Sequence, residues 1–475
     1  MFEARELLPF IGGDFHGGGS TFEVHDKYLG TVLAQVQTSN TSNVDLALSL
    51  AQRTLRAGVP LPSRRFEILA NAARLLRERK VHFAETLTAE AGFTQADATG
   101  EVDRAVTTLS LCAEEARNII GETVSFGATA GQESRVGFTI RTAIGIVCAI
   151  TPFNSPLNVV LHKIGPALAA GNAVVLKPSG HTPITAVMIA QLLVEAGLPP
   201  GLVSVLHDLQ GEAARLLLAD QRIGFYTFTG STQVGRLIQS AAGLRRTQLE
   251  LGSIASTILC ADAEIGTAIP KIANAAYRKA GQVCTSVQRL YVQRSRHDEV
   301  LDAMVQTAAS MQAGDPRDPA TRVGPLISRP AAERVDAIVK EAVLAGAAVG
   351  CGATRNGSVY APTILTGVVK GTRVLDEEIF GPVLSIIPFD DLDEAVDAAN
   401  ATPFGLSVGI FSRDVMSALS AAAKLRFGSV HINETSSARA DGMPFGGVKD
   451  SGFGREGPKY ATREYTEERL VTLNP

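Results

Sequence analysis

The chain has 475 residues, 45% of them hydrophobic and 19% charged, and a net charge of −4. At roughly 150 residues per domain that length suits two or three domains with ample core. The weak negative charge offers no field for nucleic acid or anionic lipid. No uncharged apolar run approaches the ~18 residues of a membrane helix, so neither nucleic acid nor membrane is expected as a partner.

Residues 43 to 120 read mostly as helix. Pro62-Ser63-Arg64-Arg65-Phe66 opens a long amphipathic one, with Phe66, Leu69, Ala70, Ala73 and Leu76 on one face. A second helix is predicted from Val102 to Ile119. Gly121 to Arg141 turns strand-like, alternating through Glu133 to Ile140, the pattern of an exposed ribbon that becomes an oligomer edge. From Gly145 the rhythm is strand, turn, helix. Strands are predicted at 144–150, 173–176, 203–206, 225–228 and 248–250, with helices at 161–170, 184–196, 213–219 and 234–242. Repeated units of this kind with buried strands predict a doubly wound parallel sheet. A second α/β block with the same rhythm runs from Ser253 to Pro444.

Parallel sheets bind ligands at the carboxyl ends of their strands. Lys177-Pro178-Ser179 follows one predicted strand and Thr229-Gly230-Ser231-Thr232 another, the latter opening a helix. Small residues before a helix N-terminus can seat a pyrophosphate, although a single such turn reads as a plain N-cap and no GxGxxG follows any of these strands. Thr151-Pro152-Phe153-Asn154-Ser155-Pro156 puts an amide at a third strand end, and Glu250-Leu251-Gly252 puts a carboxylate at a fourth. Taken singly, Asn154 is a turn residue, Glu250 a surface acid and Phe380 a core side chain.

Five cysteines without pattern point to reduced thiols. With no basic-then-apolar leader in Met1 to Arg5, a cytoplasmic location is expected. No CxxC or HExxH occurs and the eight histidines are scattered, so no metal site is expected. Cys112, Cys148 and Cys260 sit in apolar or helical patterns as core residues, and Cys351 reads as a loop thiol. Cys284, in Ala280-Gly281-Gln282-Val283-Cys284-Thr285-Ser286, has the glycine turn and small polar neighbours that suit a reactive thiolate.

In this order the segments resemble the aldehyde dehydrogenase superfamily over nearly the whole chain. The motifs are Pro-Phe-Asn-x-Pro at Pro152, Lys-Pro-Ser at Lys177, Phe-Thr-Gly-Ser-Thr at Phe228, Glu-Leu-Gly at Glu250 and Gly-Gln-x-Cys at Gly281. Glu-Glu-Ile-Phe-Gly-Pro-Val at Glu377 and Pro-Phe-Gly-Gly-Val-Lys-x-Ser-Gly at Pro444 complete the set. Between Glu250 and Tyr291 the chain is most similar to the lactaldehyde and phosphonoacetaldehyde dehydrogenase-like branch.

The resemblance implies an α/β fold of two doubly wound domains plus a small β ribbon. A dinucleotide-binding domain would take residues 1–121 and 142–252, a catalytic domain 253–446, and an oligomerisation ribbon 122–141 and 462–475, in a homodimer or homotetramer. Cys284 would be the nucleophile, Asn154 an oxyanion donor and Glu250 the base that hydrolyses a thioester. NAD or NADP would bind at Thr151, Pro152, Lys177, Ser179, Gly180, His181, Gly230, Ser231, Glu378 and Phe380.

Two departures from the family pattern stand out. Glu250-Leu251-Gly252-Ser253-Ile254 stands where Glu-Leu-Gly-Gly-Lys is common. Gly180 stands where many NAD-preferring members carry an acid, so NADP is not repelled. The implied substrate tunnel includes Arg104, Ser155, Val159, His162, Val283, Thr285 and the loop Glu434 to Met443 with Arg439. Its cationic donors predict a short hydroxylated or anionic aldehyde. The plain alternatives are a helix-surface Arg104, an Arg439–Asp441 salt bridge and a solvent-facing His181. Two other functions fit the same resemblance: a CoA-acylating aldehyde dehydrogenase, which usually lacks the base, and a catalytically silent structural protein.

Overall fold

The computed structural model describes residues 5–474. The Met1 to Ala4 stretch used above for the absence of a leader lies outside them. Two large sheets organise the chain. In the first, five parallel strands run in the order Arg246–Glu250, Ile223–Thr229, Ile146–Ile150, Ala173–Lys177, Val203–Val205. Short antiparallel strands close its edges, Gly452–Phe453 at one side and Phe10–Ile11 with Asp14–Phe15 at the other. The chain leaves the central Ile146–Ile150 strand towards one edge and later returns to its other side. The order therefore reverses between Ile146–Ile150 and Ile223–Thr229, and a crevice opens at their carboxyl ends. Register puts Ile150 level with both Phe228 and Lys177, and Thr229 level with Glu250. Four predicted site segments thus leave the sheet along one edge.

The second sheet runs Ala348–Cys351, Thr363–Thr366, Val383–Phe389, Val287–Gln293, Ala255–Leu259, Ser407–Phe411, Ser429–Ile432, all parallel except the first. Only Leu251 to Ile254 separate the end of the first sheet's Arg246–Glu250 strand from the start of the second sheet's Ala255–Leu259 strand. The carboxyl edge of one sheet is thereby joined to the amino edge of the other. A third, three-stranded sheet pairs Thr466–Leu473 with Val136–Ala143, and that strand with Thr123–Val124. No helix among the described residues is long and apolar enough to cross a membrane.

Helix boundaries differ from the predicted ones for local reasons. The helix expected at Val102 begins at Gln95 and ends at Arg117, since Thr94 caps it by accepting the Asp97 N–H at 3.2 Å and thereby carries the turn through Gly100. On the Pro62–Glu78 helix, Leu69, Ala73 and Leu76 are buried as predicted, joined by Ile68, Ala72 and Leu75. Phe66 and Ala70 are only half-buried. The Arg117 guanidinium lies 3.7 Å from the centre of the Phe66 ring and covers it. Cys351, expected on a loop, ends an edge strand, with its thiol 3.8 Å from the Pro362 carbonyl. The three cysteines assigned to the core, Cys112, Cys148 and Cys260, are buried.

Candidate active site

A cavity of about 750 Å³ lies between the two sheets. From the first sheet, Thr151, Pro152, Lys177, Ser179, Gly180, His181, Gly230 and Ser231 line it. Ser231 caps the Thr232–Ala242 helix, its hydroxyl accepting the Val234 N–H at 3.4 Å, so the first helical N–H groups face this end of the cavity. The Thr151 and Thr229 hydroxyls are buried without a hydrogen-bond partner among the described residues, although both side chains line the cavity. Burial lowers the Lys177 ammonium below its usual pKa, with Asp208 opposing. His181 stays exposed, edge-on to Phe153 at 5.7 Å. A side chain at Gly180 would meet Leu209 Cδ1 at 3.1 Å and the Asp208 carbonyl at 3.2 Å, so this wall is closed to larger residues. A helix N-terminus, two orphaned hydroxyls and a desolvated ammonium along one crevice suit a pyrophosphate and a ribose.

The second sheet approaches from its amino end. The Ile265–Tyr277 helix stops at Arg278, and Lys279, Ala280 and Gly281 follow with φ of 51°, 54° and 70°. Left-handed backbone costs a non-glycine residue about 1–2 kcal/mol, so such a run persists only where its surroundings hold it. Gly281 is obligatory here, because a Cβ would lie 2.2 Å from the Gly381 carbonyl. That contact locks the Cys284 loop against the Glu377–Pro382 turn, where Phe380 is also left-handed at φ 54°. The Phe380 ring meets Phe153 edge-on at 5.8 Å. Glu378 accepts the Ser253 N–H at 3.2 Å, and burial pushes its carboxyl up to about 7. Both Glu378 and Phe380 line the cavity.

Cys284, Asn154 and Glu250 meet in this cavity. Cys284 is half-buried, and burial pushes its thiol up to about 12, Arg439 pulling against it. Cys148 and Cys260 are pushed to about 12 as well. Access, not acidity, therefore sets Cys284 apart: it is the only cysteine in the cavity wall among the described residues. The Asn154 amide donates to the Gln282 carbonyl at 2.8 Å, which fixes it beside the cysteine loop. Glu250 is 3% exposed, which removes the surface-acid reading. Neither of its carboxylate oxygens accepts a hydrogen bond from a described residue. Burial, reinforced by the charge of Glu456, raises its pKa well above the carboxylate range. Burial alone would raise Glu456 too. Instead Lys163 at 3.0 Å and Arg439 at 2.7 Å outweigh it and keep that acid ionised.

The predicted substrate residues separate into two groups. Arg104, Val283, Thr285 and Arg439 line the cavity, as do Ser155 and Val159. His162 does not. It is fully buried, and its Nε2 lies 3.1 Å from Asp441 Oδ1 and 3.4 Å from the Thr108 hydroxyl. The helix that carries it, Asn158–Ala169, is buried on every side, so a polar residue there satisfies the interior instead of facing a ligand. The expected Arg439–Asp441 pair is also replaced. Arg439 binds Glu456, and Asp441 takes Arg104 at 2.7 Å.

Sequence reasoning missed Arg278. It lines the cavity, donates to the Ser437 hydroxyl at 2.7 Å, and has no carboxylate in ion-pair contact among the described residues. Its position six residues before Cys284 was the available signal, hidden by the helix end on which it sits.

The sequence profile of the Aldehyde dehydrogenase family matches residues 15–471. The chain is 43% identical over 474 residues to the 3-sulfolactaldehyde dehydrogenase of Priestia aryabhattai, covering 100% of this chain and 99% of that one. It is 33% identical over 470 residues to the lactaldehyde dehydrogenase of Methanococcus aeolicus, with 98% and 99% covered. Among solved structures, the glyceraldehyde-3-phosphate dehydrogenase of Methanocaldococcus jannaschii complexed with NADP superposes with a TM-score of 0.91 at 34% identity, covering 96% of this chain and 99% of that one.

Proposed function

The chain belongs to the aldehyde dehydrogenase family, and we propose that it oxidises a short anionic aldehyde to the carboxylic acid through a covalent adduct on Cys284. The observation that carries the reading is the meeting of Cys284, Asn154, Glu250 and the uncompensated Arg278 guanidinium in one cavity.

The Cys284 thiol loses its proton to solvent, the thiolate sulfur attacks the aldehyde carbon, and the carbonyl π electrons move to oxygen. The Asn154 amide, with one N–H spent on Gln282, offers its second to that oxyanion, together with the Cys284 backbone N–H. A donor so placed is worth about 10²–10³ in rate. NAD or NADP would supply the hydride acceptor for oxidation of the thiohemiacetal to a thioester. Lys177, Ser179 and Ser231 would hold its ribose and phosphates, and Glu378 and Phe380 its nicotinamide end. Glu250 then takes a proton from the water that attacks the thioester, the C–S bond breaks, and the leaving thiolate takes that proton back from Glu250 as the acid is released. Burial raises the Glu250 pKa, which strengthens its carboxylate as a base.

At the aldehyde end Arg278 recognises the anionic group, with Arg104 beside it. Sulfonate, carboxylate and phosphonate all offer the oxygens a guanidinium fork binds. The name of the Priestia relative agrees with a substrate of this class. The two sheets divide the work, the first holding the dinucleotide and the second the nucleophile. The ribbon strands Val136–Ala143 and Thr466–Leu473 leave Val136, Phe138, Ile140, Leu470 and Leu473 exposed, and a second copy of the chain covers them.

The test is steady-state kinetics on sulfolactaldehyde, succinate semialdehyde, phosphonoacetaldehyde, lactaldehyde and glycolaldehyde, with each dinucleotide, with and without CoA. Expected is the highest kcat/KM on an anionic aldehyde without CoA. Equal kcat/KM on glycolaldehyde, or absolute dependence on CoA, would refute the reading.

A further inference from the structure

Lys279 is a buried lysine with no place in the chemistry above. Its ammonium donates to Glu101 at 2.7 Å and to the Asn154 carbonyl at 3.0 Å. Only 6% of the Lys279 side chain and 1% of that of Glu101 is exposed. Asn154 reaches back to the same loop, its amide donating to the Gln282 carbonyl at 2.8 Å. Gln282 closes the circuit, its backbone N–H and its side-chain amide each donating to the Lys279 carbonyl at 3.1 Å. The lysine side chain thus binds the backbone of Asn154, the asparagine side chain binds the backbone of Gln282, and Gln282 binds the backbone of Lys279. This ring ends two residues before Cys284.

Glu101 ties the ring to the rest of the fold. It accepts the Ser155 hydroxyl at 2.7 Å and the Asn158 N–H at 2.9 Å, and so also caps the helix that follows Asn154. Burial raises the Glu101 carboxyl, but Lys279 and these donors outweigh it and hold the pKa below its usual value. Burial lowers the Lys279 ammonium below its usual pKa, with Glu101 opposing, and each of the two groups has hydrogen-bond partners. A buried pair of this kind adds little net stability compared with an apolar substitute. Its effect is to hold two loops in one relative placement. The loop it holds is the left-handed run from Lys279 to Gly281, which local propensity does not favour.

We propose that Lys279, held by Glu101, is a positioning residue that fixes the Asn154 amide against the Cys284 loop, so that thiol and oxyanion donor keep the spacing the attack needs. This rests on the cysteine–asparagine reading above. Lys279 acts through Asn154 and does not bind the substrate.

The test is a double-mutant cycle read in kcat, with KM for aldehyde and dinucleotide followed alongside. Lys279→Met in the parent lowers kcat about 10²-fold, the effect of a displacement of about 1 Å. Its KM values stay within about 3-fold, because uniform binding is untouched. In an Asn154→Ala background the same change lowers kcat less than about 3-fold, since the group it positions is gone. Equal factors in the two backgrounds, or a Lys279→Met enzyme within about 3-fold of the parent kcat, would overturn the proposal. If Lys279→Met leaves Glu101 uncompensated and does not fold, Glu101→Gln with Lys279→Met removes both charges and carries the same comparison. An Asn154→Ala enzyme with full kcat would defeat the cysteine–asparagine reading and this proposal together. A slow Asn154→Ala enzyme beside a fully active Lys279→Met enzyme would defeat this proposal alone.

Discussion

The first sheet meets the cavity with the carboxyl ends of its strands, and the second with the amino ends. On the first side the site residues follow regular strands: Thr151 after Ile146–Ile150, Ser179 after Ala173–Lys177, Ser231 after Ile223–Thr229. None of these turns contains a left-handed non-glycine residue. On the second side Cys284 and Phe380 precede their strands, on loops with left-handed residues at Lys279, Ala280 and Phe380. Charge pairs surround this half: the buried Glu101–Lys279, Arg439–Glu456, and the half-buried Arg104 on Asp441. In the proposed reaction the first side holds a dinucleotide, whose phosphates and ribose are the same in every turnover, and unstrained backbone N–H groups suffice for that. The proposed covalent step must hold the Cys284 sulfur of the second side at fixed distances from the Asn154 amide and the Glu250 carboxyl of the first, and side-chain networks impose that geometry on the unfavourable backbone before Cys284.

Removing the proposed nucleophile is expected to give the largest effect. Cys284→Ser is expected to lower kcat by about 10⁴-fold or more. The same enzyme should bind dinucleotide with unchanged Kd by fluorescence titration, because the first sheet is untouched. A Cys284→Ser enzyme as fast as the parent would end the division between the two halves.

Removing the free cation sharpens the second half. Arg278→Met is expected to lower kcat/KM for an anionic aldehyde about 10- to 100-fold relative to glycolaldehyde, the range for a hydrogen bond to a charged group. Equal loss on both substrates would show that Arg278 serves the fold and not recognition.

The thiol's acidity gives a smaller but direct measure. With its pKa raised by burial to about 12 in the absence of dinucleotide, the reactive thiolate fraction grows as pH rises towards that value. Inactivation by iodoacetamide should therefore accelerate about tenfold per pH unit between pH 7 and 10. A plateau below pH 8 would mean that the cavity already ionises the thiol. The smallest effect is expected at His162, which lies behind the cavity wall. His162→Gln should change kcat/KM less than about 3-fold while lowering stability by about 1–3 kcal/mol, measured by urea denaturation.

How much of this was readable from sequence follows the same division. The strands and turns of the first sheet showed themselves as apolar runs followed by small residues, and Lys177, Gly230 and Ser231 stood where a parallel sheet places ligands. On the second half Cys284 stood out by its glycine turn and small polar neighbours, but its role and that of Phe380 were legible only through the family motifs, because a loop held by long-range contacts has no period. The charge pairs were not legible at all. Arg104 is 337 positions from its partner Asp441, and Lys279 is 178 from Glu101. Local spacing tied Arg439 to Asp441, two residues away, whereas the fold delivers Glu456. The same blindness put His162 into the cavity, since its place on the helix after Asn154 carried no sign that the helix is buried all round.

The most direct measurement is the intact mass of a Glu250→Gln enzyme, quenched in acid within one turnover of a favoured aldehyde and NADP. The expected result is one acyl group per chain, mapped by peptide digestion to Cys284, because the thioester forms and its hydrolysis is slowed by about 10²–10⁴. An unmodified chain after a stoichiometric burst of NADPH, or an acyl group on any other residue, would contradict the assignment of Cys284 as the acyl carrier and Glu250 as the base that releases it.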